Sequence, residues 1–189
     1  MSNTSKKSAG LLLYRKAADL EVLLVHPGGP FWAKKDEASW SIPKGEFSES
    51  EDPLAAAKRE FEEEMGALPL AGDFEPLEPV KQPSGKLVFA WTTCSDFDTS
   101  NLKSNMFSME WPPKSGRQQE FPEVDRADWF GIEAARHKIL KGQAPFLDQL
   151  LKKLQSCEGF SVSSEWPPVS PRAVGRAAPK QQSLFGEEM

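Results

Sequence analysis

The sequence contains little cysteine and little histidine. Cys94 and Cys157 are its two cysteines, and they lie far apart in a chain of 189 residues. Such a pair argues against a disulfide scaffold or a cysteine-based zinc site and favours a reducing compartment. The two histidines, His26 and His137, form no cluster, and we interpret both as structural.

The chain also lacks an excess of positive charge and a long apolar run. Its formal net charge is −5, so no overall basic field attracts nucleic acid or an anionic membrane. The run AGLLLY near the N-terminus is shorter than the core of a signal peptide and far shorter than a membrane span. We therefore expect a cytoplasmic protein that binds neither membrane nor nucleic acid directly.

The composition that remains is that of a globular protein, with 39% hydrophobic and 27% charged residues. We predict a flexible N-terminus at residues 1–7, one mixed α/β domain at 8–156, and a mostly disordered tail rich in Ser, Pro and Ala at 157–189. Apolar runs predict strands, and apolar stripes with capping signals predict helices. The predicted strands cover 8–16, 20–26, 39–45, 86–94, 105–111 and 125–131, and the predicted helices cover 53–65, 131–140 and 144–155.

Residues 53–65 carry clear helix boundaries. Asp52 suits the N-cap, Pro53 suits the first helical position, and Gly66 suits a left-handed end. At about 100° per residue, the apolar side chains fall on one side and should pack against a sheet. They are Leu54, Ala57, Phe61 and Met65.

The same helix bears a dense acidic run. Glu60, Glu63 and Glu64 fall beside the apolar face, whereas Glu62 points toward solvent. Like charges three and four residues apart repel one another. Two interpretations follow: a solvated acidic face, or a site at which a hard divalent cation offsets the repulsion. A solvated face normally mixes lysine and arginine into this spacing, so the run favours the cation.

The segment PKGEFSESEDPLAAAKREFEEEMGA extends this pattern. Gly45, Glu51 and the run from Arg59 to Ala67 match G-x5-E-x7-R-E-U-x-E-E-x-G-U at every position, where U is bulky or apolar. The sequence therefore resembles the Nudix hydrolase family, and residues 45–67 form its Nudix box. The resemblance implies a Nudix-type α/β/α sandwich with a mixed sheet. It also implies hydrolysis of a nucleoside diphosphate linked to another group, with water attacking phosphorus.

The resemblance also implies roles for individual residues. Those implied to bind metal are Glu60, Glu63, Glu64 and the backbone carbonyl of Lys44. Glu60 and Glu63 are the candidates to orient or deprotonate the water. Those implied to be structural are Gly45, Glu51, Arg59 and Gly66. The implied metal is Mg²⁺ or Mn²⁺. The sequence does not distinguish the two, because both accept the same oxygen ligands.

Lysines near the box give an indication of the substrate class. PKG at its start resembles the branches that act on diadenosine polyphosphates and inositol pyrophosphates, rather than the MutT-like branch that hydrolyses oxidised nucleoside triphosphates. Lys44, Lys34 and Lys35 are candidates to bind a phosphate chain. The alternatives are a Lys44 stem lying over Trp40 and simple solvation of the loop.

The stretch SGRQQEFPEVDRADWF is a second informative region. Many Nudix enzymes place a further acidic residue in a loop after the box, and Glu120 is the first candidate and Glu123 the second. Arg117 is a candidate phosphate contact; ordinary loop charges are the alternative. Three tryptophans could stack a nucleobase or belong to the core, namely Trp32, Trp91 and Trp111.

The tail contains a short peptide of interest. QQSLF resembles the Q-x-x-L-F peptides by which bacterial replication and repair proteins bind the sliding clamp. Gln181 would hydrogen-bond while Leu184 and Phe185 enter an apolar pocket. A tail that binds nothing is the alternative.

Two functions fit the whole sequence. The first is a metal-dependent pyrophosphohydrolase acting on a nucleoside polyphosphate, with dinucleoside polyphosphates and (oxidised) nucleoside triphosphates as leading substrates. The second is a Nudix-fold module that binds a nucleotide without cleaving it. The complete box favours the first, because a binding module has no need of all three carboxylates.

Overall fold

Eight strands and three α-helices make up the part of the chain that the computed structural model describes, residues 6–69 and 72–157. The strands are β1 (Lys7–Lys16), β2 (Leu20–Pro27), β3 (Lys44–Glu46), β4 (Glu75–Lys81), β5 (Leu87–Cys94), β6 (Met106–Glu110), β7 (Gln118–Pro122) and β8 (Val124–Gly131). The helices are α1 (Pro53–Met65), α2 (Ile132–Lys138) and α3 (Pro145–Cys157), with a 3-10 turn at Thr99–Asn101.

Six strands form one mixed sheet. Its order is β4-β5-β1-β2-β8, and β3 pairs with the beginning of β1. The β1–β5 pair is parallel and the other pairs are antiparallel. Strands β6 and β7 form a separate antiparallel hairpin. The mixed sheet predicted from the sequence is therefore confirmed.

The sheet is covered on both faces. Leu11 and Leu13 pack with the apolar side of α1, whereas Leu12 belongs to the cluster that includes Phe146 and Leu150 of α3. All three leucines of β1 are fully buried, which explains why the strand reads as an unbroken apolar run rather than an alternating one. The result is the α/β/α sandwich that the resemblance implied.

Most predicted elements are confirmed, but some boundaries differ. The strand predicted at 39–45 is wrong in extent, because β3 begins only at Lys44. Before it, Trp40 and Ser41 form isolated bridges to Ile139 and Val25. Helix α2 ends at Lys138, because the backbone of Ile139 is extended. Strands β4 and β7 were not predicted.

The clamp-like peptide and most of the predicted tail lie beyond the described residues. Gln181, Leu184 and Phe185 of the clamp-like peptide lie outside residues 6–69 and 72–157. Cys157, the first residue of the predicted tail, is the last residue of α3. Within the described ranges, no helix has the length and apolar character needed to cross a membrane.

Candidate active site

Helix α1 presents its glutamates at the edge of a buried face. The Asp52 carboxylate accepts a hydrogen bond from the N–H of Ala55 at 2.8 Å, and Gly66 ends the helix with φ of 83°. The buried residues of the helix are Ala56, Ala57, Phe61 and Met65, and Glu62 is exposed as predicted. Three glutamates lie between these two sides, namely Glu60, Glu63 and Glu64.

Glu64 is held against the strand that begins the box. One of its carboxylate oxygens accepts a hydrogen bond from the backbone N–H of Lys44 at 3.0 Å. Burial raises the pKa of Glu64 to about 8, although the Lys44 ammonium and this hydrogen bond act in the opposite direction. A carboxylate in such surroundings is stabilised by a nearby cation.

Glu60 lies directly against the box glycine. A Cβ atom added to Gly45 would overlap the Glu60 carboxylate, so only glycine leaves room for it. Burial raises the pKa of Glu60, whereas the adjacent guanidinium of Arg59 lowers it. The backbone of β3 and two glutamates of α1 thus form one compact group.

Arg59 joins the remaining members of the box. Its Nε and Nη2 atoms donate to the two oxygens of Glu51, at 3.0 and 3.3 Å. Its Nη1 atom donates to Glu60 at 2.7 Å and to Glu63 at 3.1 Å. The hydrogen bonds to Glu51, with those to Glu60 and Glu63, hold the pKa of Arg59 above its ordinary value. This geometry agrees with a bracing role for Arg59, which stays a prediction.

The donor set suits a hard divalent cation. Within residues 6–69 and 72–157, no three acidic, histidine or cysteine side chains are already gathered as a metal cluster. Arg59 instead holds Glu60 and Glu63, while Glu64 is buried with a raised pKa. Carboxylate and carbonyl oxygens are the ligands that Mg²⁺ and Mn²⁺ prefer. The residues therefore fit such a metal in their chemistry.

A further acidic residue lies near this group. The charge of Glu123 contributes to the raised pKa values of both Glu60 and Glu64. Its backbone N–H donates to the carbonyl of Asn105, whose own N–H donates to the carbonyl of Glu63. Glu120, the first candidate from the sequence, is exposed in β7, where it pairs with Ser108. The structure thus brings the second candidate toward the carboxylates.

Asn105 and His26 are site neighbours that sequence reasoning missed. Asn105 connects the carbonyl of Glu63 to Glu123, as described above. His26 is fully buried at the end of β2 and hydrogen-bonds to Asp125, two residues after Glu123. The fixed spacings of the box indicate neither residue, because both contacts arise from tertiary packing.

The loop before the box carries the two predicted lysines. The Nζ atom of Lys35 lies 4.4 Å from the ring centroid of Trp32, which gives both side chains a local partner. Lys34 is exposed. Trp91 of β5 packs against the core cluster under α1, which favours the core interpretation for this tryptophan.

The β6–β7 hairpin carries the other predicted substrate contacts. At its tip, the N–H of Trp111 donates to the carbonyl of Arg117 at 2.9 Å. The ring of Trp111 meets that of Phe31 edge to face, with centroids 5.4 Å apart, and Phe31 is 57% exposed. The loop and the hairpin together form an accessible aromatic edge.

An open pocket of about 540 Å³ lies beside the outer edge of β8. Its lining includes Trp40, Phe130, Asp36, Lys138 and Arg126, and the three box glutamates do not contribute to it. The box carboxylates therefore lie outside this pocket.

Comparison with known proteins identifies the family. The NUDIX domain family matches residues 4–150 of the chain. The chain therefore belongs to the Nudix family, whose hydrolases act on phosphoanhydride bonds and generally use divalent metals. A comparison with curated proteins finds no match.

Several solved structures share the fold. A binary complex of C. elegans Ap4A hydrolase is 25% identical to this chain, with a TM-score of 0.56 and coverage of 81% of this chain and 99% of that chain. The NUDIX domain of Shewanella oneidensis NrtR complexed with ADP ribose is 16% identical, with a TM-score of 0.56 and coverage of 80% and 90%. A MutT/nudix family protein from Enterococcus faecalis is 14% identical, with a TM-score of 0.57 and coverage of 84% and 65%. The last two show likeness in fold alone.

Proposed function

We propose that this protein hydrolyses a phosphoanhydride bond in a nucleoside polyphosphate with the help of Mg²⁺ or Mn²⁺. One observation carries the proposal: Glu60 and Glu64 are packed against the Lys44–Gly45 backbone, and Arg59 links Glu60 to Glu63. Three carboxylates gathered on one side of a helix supply oxygen ligands for a divalent cation, and a polyphosphate substrate needs the positive charge that such a cation brings.

The residues take the following roles in this proposal. When bound, the divalent cation neutralises the polyphosphate and acidifies a water molecule. The oxygens of Glu60, Glu63 and Glu64 and the Lys44 carbonyl hold it. Glu63 or Glu60 orients the attacking water and accepts its proton. Arg59 keeps Glu60 and Glu63 oriented through its bonds to Glu51.

A second acidic group assists in binding or proton transfer. Glu123 is the better candidate than Glu120, because its charge acts on Glu60 and Glu64. Its negative charge adds to the charge that a divalent cation would offset, and its carboxylate gives the water proton a second acceptor.

Substrate contacts come from outside the box. We assign the phosphate chain to Lys44, Lys34, Lys35 and Arg117. We assign a base to the aromatic edge formed by Trp111 and Phe31, because the two rings are in contact and Phe31 is largely exposed. Dinucleoside polyphosphates are the first substrate class and (oxidised) nucleoside triphosphates the second. The likeness to an Ap4A hydrolase supports this order.

A product assay tests the proposal. Diadenosine polyphosphates, normal and oxidised deoxynucleoside triphosphates, a nucleotide sugar, ADP-ribose and an inositol pyrophosphate are each incubated with the protein and Mg²⁺. Metal-dependent turnover of a nucleoside polyphosphate is expected. Tight binding of a nucleotide by calorimetry with no product from any substrate would instead identify a binding module.

A further inference from the structure

His26 is a buried histidine whose two ring nitrogens both face hydrogen-bond acceptors. Its Nε2 atom lies 2.9 Å from the backbone carbonyl oxygen of Lys35, and its Nδ1 atom lies 2.7 Å from Oδ1 of Asp125. A carbonyl oxygen only accepts hydrogen bonds, so Nε2 must carry a proton. Neutral imidazole has a single N–H, which would leave Nδ1 bare against the carboxylate. The pair therefore holds a second proton between Nδ1 and Asp125.

The Asp125 carboxylate favours this extra proton, whereas burial of the ring opposes it. The imidazole is fully buried and meets the ring of Trp40 edge-on, with centroids 5.2 Å apart. Asp125 also lies 3.5 Å from Nε of Arg126. The indole N–H of Trp40 donates to Asp36, and Asp36 is paired with Lys138. Asp125 is the acidic group in contact with the imidazole itself, and charge pairing with it stabilises the doubly protonated form.

These two hydrogen bonds connect the loop after β2 to the start of β8. Lys35 belongs to the loop that follows β2, and Asp125 lies at the start of β8, two residues after Glu123. The same loop is tied a second time, because the N–H of Gly28 donates to the carbonyl of Glu123 at 2.9 Å. His26 and Gly28 thus fix both ends of the segment 28–35 to residues 123–125.

We propose that His26, doubly protonated and paired with Asp125, is a positioning residue that holds the loop 28–35 against residues 123–125. It acts through the Lys35 carbonyl and does not touch substrate. The assignment of this loop to the phosphate chain rests on the proposed function, whereas the protonation state of His26 and the restraint of the loop do not.

Nitrogen NMR of the wild-type protein tests the protonation state without any assay of activity. With only two histidines in the chain, replacement of His137 identifies the remaining ring signals as those of His26. At neutral pH, both ring nitrogens of His26 are expected to be protonated. Asp125→Asn should remove one proton, because the amide can donate to a neutral Nδ1. A wild-type spectrum with one bare ring nitrogen would overturn the inference.

Two substitutions of His26 test the restraint of the loop. The amide of His26→Gln can reach the position of Nε2 and keep the bond to Lys35, whereas the shorter His26→Asn can keep only the bond to Asp125. Hydrogen exchange of the loop amides is expected to rise in His26→Asn and to be largely restored in His26→Gln. His137→Asn, on the exposed side of α2, is the matched control. Equal exchange in all three variants would contradict the inference.

The kinetic consequence separates positioning from general stability. On the substrate identified by the product assay, His26→Asn should raise KM about fivefold, the effect of one lost hydrogen bond, with kcat nearly unchanged. His26→Gln should recover most of that loss. Equal falls in kcat for both variants would indicate a merely structural role. If the wild-type protein turns over no substrate, the proposed function fails, while NMR and exchange still decide the protonation and the restraint.

Discussion

The carboxylate of Glu60 occupies the space in which a side chain at Gly45 would begin. Gly45 is not one of the described glycines with a positive φ. Glycine is therefore required here by the close approach of Glu60 and not by the backbone conformation. The box glycine thereby sets the distance between β3 and the acidic side of α1. The same contact brings Glu60 next to the strand whose first residue holds Glu64.

Gly45→Ala should therefore abolish most turnover. The added methyl group displaces the Glu60 carboxylate, and a shift of about 1 Å at a catalytic group costs on the order of a hundredfold in rate. Gly131→Ala is the matched control, because no atom lies within 4 Å of its added Cβ. Initial rates of both purified variants check this prediction. Full activity of Gly45→Ala would show that the position of Glu60 is unimportant.

Arg59→Lys should lower both activity and stability. A lysine cannot donate to both oxygens of Glu51 while reaching Glu60 and Glu63. Loss of these partly exposed hydrogen bonds should reduce the free energy of unfolding by about 1 kcal/mol. Denaturant unfolding and initial rates measure the two effects. Arg136→Lys, which changes a single arginine–aspartate pair between α2 and α3, should leave both unchanged; a comparable loss there would remove the special role of Arg59.

Glu123→Gln should reduce turnover more than Glu120→Gln. Glu123 acts on the charges of Glu60 and Glu64, whereas Glu120 is exposed in the hairpin. Loss of an assisting acid–base group costs about a hundredfold or more in kcat. Steady-state kinetics of the two variants decide between them. A larger loss in Glu120→Gln would restore the order that the sequence alone suggested.

Divalent metal should stabilise the folded protein, and Glu64 should carry much of that effect. A cation that binds only the native state raises the melting temperature. In EDTA at neutral pH, Glu64→Gln should be at least as stable as the wild type, because burial raises the pKa of Glu64 to about 8 and folding must therefore keep its carboxyl protonated, whereas glutamine has no such cost. Added Mg²⁺ should then raise the wild-type melting temperature more than that of the variant. Thermal unfolding with and without Mg²⁺ measures this difference, and an equal rise in both would exclude Glu64 as a ligand.

Elements with strong local signals were predicted correctly from the sequence. Helix α1 runs from Pro53 to Met65 as its capping residues indicate, and β1 follows from its apolar run. Strand β4 was missed because Pro76 and Pro79 argue against a strand, yet it lies at the sheet edge with an irregular register between Leu77 and Val80. Strand β7 was missed because it pairs only with β6 and buries no apolar face that would produce an alternating pattern.

The candidate site was predictable only where fixed spacing determines geometry. The positions of Glu60, Glu63 and Glu64 along one helix determine which of them share a side, and burial agrees. The approach of Glu123 depends on a backbone bond to Asn105, and the position of the Lys35 carbonyl depends on its hydrogen bond with His26. Such contacts join segments distant in sequence, so no local pattern could rank Glu123 above Glu120.

The proposed function requires that the box carboxylates of α1 hold a divalent metal. The most direct test is the rate of Mg²⁺-dependent product formation by the wild type, Glu63→Gln and Glu62→Gln, with products identified by phosphorus NMR. Both variants lose one charge from neighbouring positions of one helix, but Glu62 is exposed and Glu63 belongs to the carboxylate group bound by Arg59. We predict that Glu63→Gln loses at least about a hundredfold in kcat while Glu62→Gln matches the wild type. Equal activity of Glu63→Gln and the wild type would contradict the account.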